Sequence, residues 1–186
     1  MPGEGLSRKL DVVINDVSSE APTHLLAVHA KPATRVSLFP VHAIVLAAHC
    51  ARLPPFPKSE SWTPAEAGSK ISLSVTPFCL PNPETFSIVL YYLYTKRVDR
   101  LFSALLPLPL QGGKSIDQLS RRYSSTFTVQ ALLSQAAKVH GLWSNVAALG
   151  IFDERLSQVI EVAWKVLLTA LAISTGAKWE IVSAMP

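Results

Sequence analysis

With 186 residues, 49% of them hydrophobic and only 16% charged, the chain has the composition of one packed domain of ordinary size, not of a disordered tail. Seventeen Lys and Arg against thirteen Asp and Glu give a net charge of +4, spread evenly: ten cations and eight carboxylates up to Arg100, seven and five beyond it. Attraction to nucleic acid or anionic lipid needs clustered cations, so the composition argues against both as partners.

LDVVI at 10–14 and RVSLF at 35–39 are short, β-branched and bounded by turn formers, which predicts strands, and HLLAVHA at 24–30 suggests another. Pro40 suits a first helical position, after which Val41, Ile44, Val45 and Ala48 fall at helical spacing and predict a core-facing stripe. Residues 52–70, RLPPFPKSESWTPAEAGSK, carry four prolines and no periodicity and are expected to be a loop. ISLSV at 71–75 predicts a further strand. Asn82 as N-cap, Pro83 and Glu84 in the first turn and the stripe Phe86, Val89, Leu90, Leu93, Tyr94 predict a helix.

The alternating prolines and paired glycines of 103–126 point to a looped insertion. Helical spacing resumes at Val129, Leu132, Leu133, Ala136 and Val139, with Gly141 where a left-handed cap would sit and a short separate helix at 144–149. Asp153 and Glu154 suit the start of a last helix whose face is Leu156, Val159, Ile160, Ala163, Leu167 and Leu171. Its most apolar stretch, 162–173, is interrupted by Lys165 and falls short of the roughly 20 residues that span a bilayer, so no membrane span is expected. Cys50 and Cys79 sit in apolar contexts, and the N-terminus lacks the apolar run of a signal peptide. Both features predict an intracellular protein, nuclear or cytoplasmic.

This order of elements implies an α+β fold, a small β-sheet flanked by helices with a helical C-terminal part. FPVHAIVLAAHC at 39–50 resembles the strand-to-helix entry of BTB/POZ domains, with His42 at that family's histidine position. VTPFCLPNPETFSIVLYYLYTKRVD is similar to its next strand and helix through Phe86, Leu90, Leu93 and Tyr94, and QALLSQAAKVHGLWSNVAAL to its following helix pair. The resemblance runs from about Asp11 to Leu149 and departs from the family at 52–70 and 103–126, so the expected organisation is a flexible N-terminus at 1–9, a BTB/POZ-like domain at 10–150 with insertions at 52–70 and 103–126, a C-terminal helix at 151–175 and a tail at 176–186. The texture also resembles the clampless proteins of mushroom-forming fungi, regulators of sexual development.

Chemical motifs are sparse. GGKS at 112–115 invites a phosphate-loop reading, but Leu108 stands where that loop needs glycine and Pro107 and Pro109 stiffen the backbone. His42 and His49 lie seven residues apart, about 10.5 Å along a helix, which is too far for two ligands of one zinc ion. No GxSxG elbow occurs and the carboxylates are dispersed, so neither an enzyme nor a cofactor is expected.

What remains is a non-enzymatic protein–protein interaction domain, an adaptor or oligomerisation module, whose partner is another protein or a second copy. The expected anchors are Trp164, Leu167 and Leu171, with Arg97, Arg100, Arg121 and Arg122 steering the partner. Intramolecular packing is the competing reading of the three apolar residues. Two alternatives rest on other features: a nucleic-acid-associated regulator using the basic and aromatic segments 96–102 and 121–127, or a small metal-binding protein.

Overall fold

Strand segments among the first 79 residues build a four-stranded sheet with one short helix between its strands, and 3.6-residue periodicity beyond them builds the remaining helices. The computed structural model describes residues 9–14, 21–32, 35–58, 68–108 and 115–177. They divide into two compact units, one running up to Pro83 and including Ala148–Gly150, the other comprising Glu84–Ala147 and the chain from Ile151. This division cuts across the 10–150 segment that the sequence groups as one domain.

In the first unit, β1 (Lys9–Ile14), β2 (His24–His29), β3 (Val36–Val41) and β4 (Ser69–Cys79) lie in the order β1-β4-β2-β3. The eleven-residue β4 joins two halves of the sheet: Ser69–Ser74 pair antiparallel with β1, and Val75–Cys79 pair parallel with β2. β3 closes the other side, antiparallel to β2. Register places Leu26 and Val28 on one face with Phe78 and Val41, all buried. On the opposite face Leu25, Ile71 and Leu73 cluster with Ala21.

The short helix α1 (Ala43–His49) follows β3, and here the expected boundary fails. Pro40 and Val41 belong to β3, because an edge strand tolerates a residue without an N–H. The helix starts at Ala43, whose N–H donates to Thr23 Oγ1 at 2.9 Å. Its buried residue is Leu46, whereas Ile44 is 75% exposed and Ala48 is exposed too, so the predicted stripe is not the inward face. Of the expected 52–70 loop, 52–58 is irregular, 59–67 lies outside the described residues, and 69–70 open β4.

Gly150 also belongs to the first unit and has φ +64°; a Cβ there would stand 3.2 Å from Ala51 Cβ. Its carbonyl accepts from Ala51 N–H at 3.2 Å, and that of Leu149 from Arg52 N–H at 3.0 Å. Left-handed backbone and a tight neighbour act together, so Gly150→Ala is expected to destabilise by about 1–3 kcal/mol in urea unfolding.

The second unit contains α2 (Phe86–Thr95), α3 (Val98–Leu105), α4 (Ile116–Thr126), α5 (Val129–Leu149, except its last two residues) and α6 (Glu154–Thr175). α6 packs against α4 and α3, and α3 against α2. Asn82 does not cap α2: a 3-10 turn at Pro83–Thr85 intervenes, and Thr85 Oγ1 instead accepts from the buried Asn145 amide at 3.0 Å. The inward face is Phe86, Val89, Tyr92 and Leu93, which turns Leu90 half outward and Tyr94 outward.

The expected insertion at 103–126 is largely helical. Pro107 stops α3 only after Leu105, and Ser115 with Gln118 forms a reciprocal capping box that opens α4. The S-x-x-Q pattern was the overlooked signal. Gly141 does not cap α5, which runs through it for 21 residues, since Val139, Leu142, Val146 and Leu149 keep one buried face in register. The last helix runs for 22 residues, not the twelve of its most apolar stretch, and by length and composition is long enough to cross a membrane. In this fold Leu156, Val159, Ile160, Ala163, Val166, Leu167 and Ala170 are buried instead.

Candidate functional site

Asp153 organises one surface of the helical unit. Its side chain caps α6, accepting from Leu156 N–H at 3.1 Å, and also accepts from Tyr92 Oη at 3.0 Å and Lys96 Nζ at 3.1 Å. Burial pushes this carboxyl up, but the Leu156, Lys96 and Tyr92 donors outweigh it and hold the group below its ordinary value. Burial together with the Asp153 carboxylate pushes the Tyr92 phenol up to about 12. Lys96 ends α2 in the left-handed conformation, φ 52°, with its ammonium 5.1 Å from the Tyr92 ring centroid. The result is a pinned corner where α2 ends, α3 starts and α6 starts.

Beside this corner lies a groove of about 340 Å³, lined by Ser87, Ile88, Tyr91 and Tyr92 of α2 and Arg100, Leu101 and Ala104 of α3. Tyr91 and Tyr94 are 48% and 41% exposed, and Phe152, immediately before the Asp153 cap, is 89% exposed. Arg97 is held by Asp99 through two hydrogen bonds, at 3.1 and 2.6 Å. The Arg97 guanidinium in turn keeps the Asp99 carboxyl down at about 2. Arg100 makes no ion pair among the described residues and is exposed on the groove.

The seven residues expected to meet a partner do not act as one group. Arg100 lines the groove and Arg97, paired with Asp99, immediately precedes α3, while Arg121 and Arg122 sit on α4, where Arg121 is paired with Asp117 at 2.9 Å. Trp164 and Leu171 are half-buried, and the Trp164 ring lies 6.2 Å from that of His140. Leu167 is completely buried, so in this fold it has no surface to offer a partner. Tyr91 and Phe152 carry no motif in the sequence, and Asp153 is legible there only as a helix start, not as the partner of Tyr92 and Lys96. The signal for Tyr91 was its position one residue off the buried stripe.

Within the two segments offered for nucleic acid, the cations Arg97, Arg100 and Arg121 are exposed, but the central apolar and aromatic residues are taken up by packing. Leu101 and Tyr123 are buried, Tyr123 Oη accepts from Leu108 N–H at 2.9 Å, and Phe127 lies against the Tyr123 ring at 5.3 Å. Tyr123 therefore has no face on which to stack a base. Among the described residues no three His, Cys, Asp or Glu side chains could together hold a metal ion; Cys50 is buried and Cys79 exposed. His42 precedes α1 without a side-chain capping bond. In the GGKS segment, Ser115 caps α4, and residues 112–114 lie outside the described residues.

Two family models match the chain in order: the Clampless protein 1 N-terminal domain over residues 1–81 and the Clampless protein 1 C-terminal domain over residues 99–185. The chain belongs to the clampless protein family. The interval between the two matches brackets the division after Pro83, so the N-terminal match falls in the sheet unit and the C-terminal match, apart from Ala148–Gly150, in the helical unit. The groove of this clampless chain lies within or beside the C-terminal match, with Arg100, Leu101 and Ala104 inside it. No curated protein and no solved structure matches, and the likeness to BTB/POZ domains stays one of local sequence.

Proposed function

We propose that this clampless chain is a non-enzymatic protein–protein interaction module, an adaptor or oligomerisation domain that takes part in regulating fungal development. The developmental part of the reading comes from family membership. The observation that supports the interaction part is the surface around Asp153. Phe152 stands exposed next to Asp153, Tyr91 and Arg100 line the apolar groove beside it, and Tyr94 is exposed further round α2. Exposed aromatic and arginine side chains around an apolar centre are the composition of interaction hot spots. The BTB/POZ likeness at Phe86, Leu90 and Leu93 fits the same reading, being a likeness to a family of docking modules.

Light scattering over a dilution series, combined with cross-linked capture of partners from fungal extract, tests it. Association that Tyr91→Ala and Phe152→Ala weaken is the expected result. A chain that is monomeric at every concentration and captures nothing overturns the reading.

A further inference from the structure

We infer that the groove between α2 and α3 receives an acidic, apolar-anchored segment of a partner protein, with Arg100 pairing with its carboxylate. The inference rests on the interaction reading above and names the chemistry of the partner. The groove is apolar along its walls, where Ile88, Ala104 and the exposed Tyr91 ring offer contact to an aliphatic or aromatic side chain over the buried Leu101 and Tyr92. Its volume, about 340 Å³, is at the lower end of the range of sites that hold small ligands, a size suited to one or two side chains and too small for a folded surface.

Charge decides the sign of the partner. Around the groove, Asp99 is taken up by Arg97, and Asp153 by Lys96 and Tyr92. Arg100 is left with no carboxylate, and Arg155, whose charge reaches Tyr92, has no ion pair among the described residues either. A basic or neutral segment would leave the Arg100 guanidinium uncompensated on binding. A segment carrying Asp or Glu beside a leucine or phenylalanine would satisfy the groove and Arg100 together, and a planar carboxylate suits the fork of a guanidinium.

The test uses the full chain and a fluorescein-labelled peptide in which leucines at helical spacing are separated by Asp and Glu. The control is the same peptide with Lys in place of every acid. Fluorescence anisotropy is expected to show saturable binding of the acidic peptide alone, weakening with added salt. Arg100→Glu should weaken it at least about tenfold, Arg100→Lys less, and Arg121→Glu, on α4, not at all. Arg100 is exposed, so melting curves should show each variant folded.

Equal binding of the basic peptide, or acidic binding that Arg100→Glu leaves unchanged, overturns the proposal. If the acidic peptide does not bind while the chain still associates with itself or with a captured protein, the groove assignment falls and the interaction reading survives. If the chain associates with nothing at all, both fall.

Discussion

Leu167→Ala is expected to lower the unfolding free energy by about 2–5 kcal/mol, the range for removing a fully buried leucine. Leu167 is 0% exposed and lines a cavity of about 260 Å³ with Tyr123, Phe127 and Leu132, so truncation enlarges an existing space that the packed α4 and α6 cannot collapse into. The loss should appear as a lower urea midpoint with unchanged slope. Leu171→Ala, at a half-buried position near the C-terminal end of α6, should cost about 1 kcal/mol or less. The comparison separates core from contact surface. Equal small effects of both substitutions on the isolated chain would mean that Leu167 does not carry the packing assigned to it.

Asp153→Ala removes the α6 cap and leaves the buried Tyr92 hydroxyl without its acceptor, and is expected to destabilise by about 2–3 kcal/mol. The Lys96 ion pair adds little to that figure, since the Lys96 side chain is 39% exposed. Asp153→Asn keeps an oxygen for Leu156 N–H and should recover about half of the loss.

The pH dependence follows from the two shifted groups. The folded Asp153 carboxyl sits below its unfolded value of about 3.9, so its contribution is present above that pH and is lost as pH falls through the lowered folded value. The Tyr92 phenol sits above its unfolded value of about 10. Its contribution is therefore present below that pH and is lost as pH rises through the folded value of about 12. Urea unfolding over pH should show both losses in the natural chain. Asp153→Asn should flatten the acid side and Tyr92→Phe the alkaline side; a variant curve parallel to that of the natural chain would refute the corresponding assignment.

Periodicity alone determined much of this protein. Four strand segments, the helices at 86–95 and 154–175 and the first part of the helix at 129–149 are legible because burying one face imposes a spacing on nearby residues. The cap at Asp153 was equally readable, since capping is a contact across three residues. Local punctuation misled where it conflicted with packing. Gly141 continues a helix whose neighbours need a common buried face, and Pro40 remains in an edge strand that has no bond for its missing N–H to make.

Only the tertiary structure decided which side of α2 turns inward, because the choice between Tyr92 and Tyr94 depends on what lies opposite. It also decided that β4 serves β1 with one half and β2 with the other. The candidate site belongs to this class. Asp153 meets Tyr92 and Lys96 across 61 and 57 residues, and Arg100 has no ion pair among the described residues while the neighbouring Asp99 is taken by Arg97. Spacing along a chain carries information over a few turns of helix, and charge pairing over such distances is set by how the helices pack.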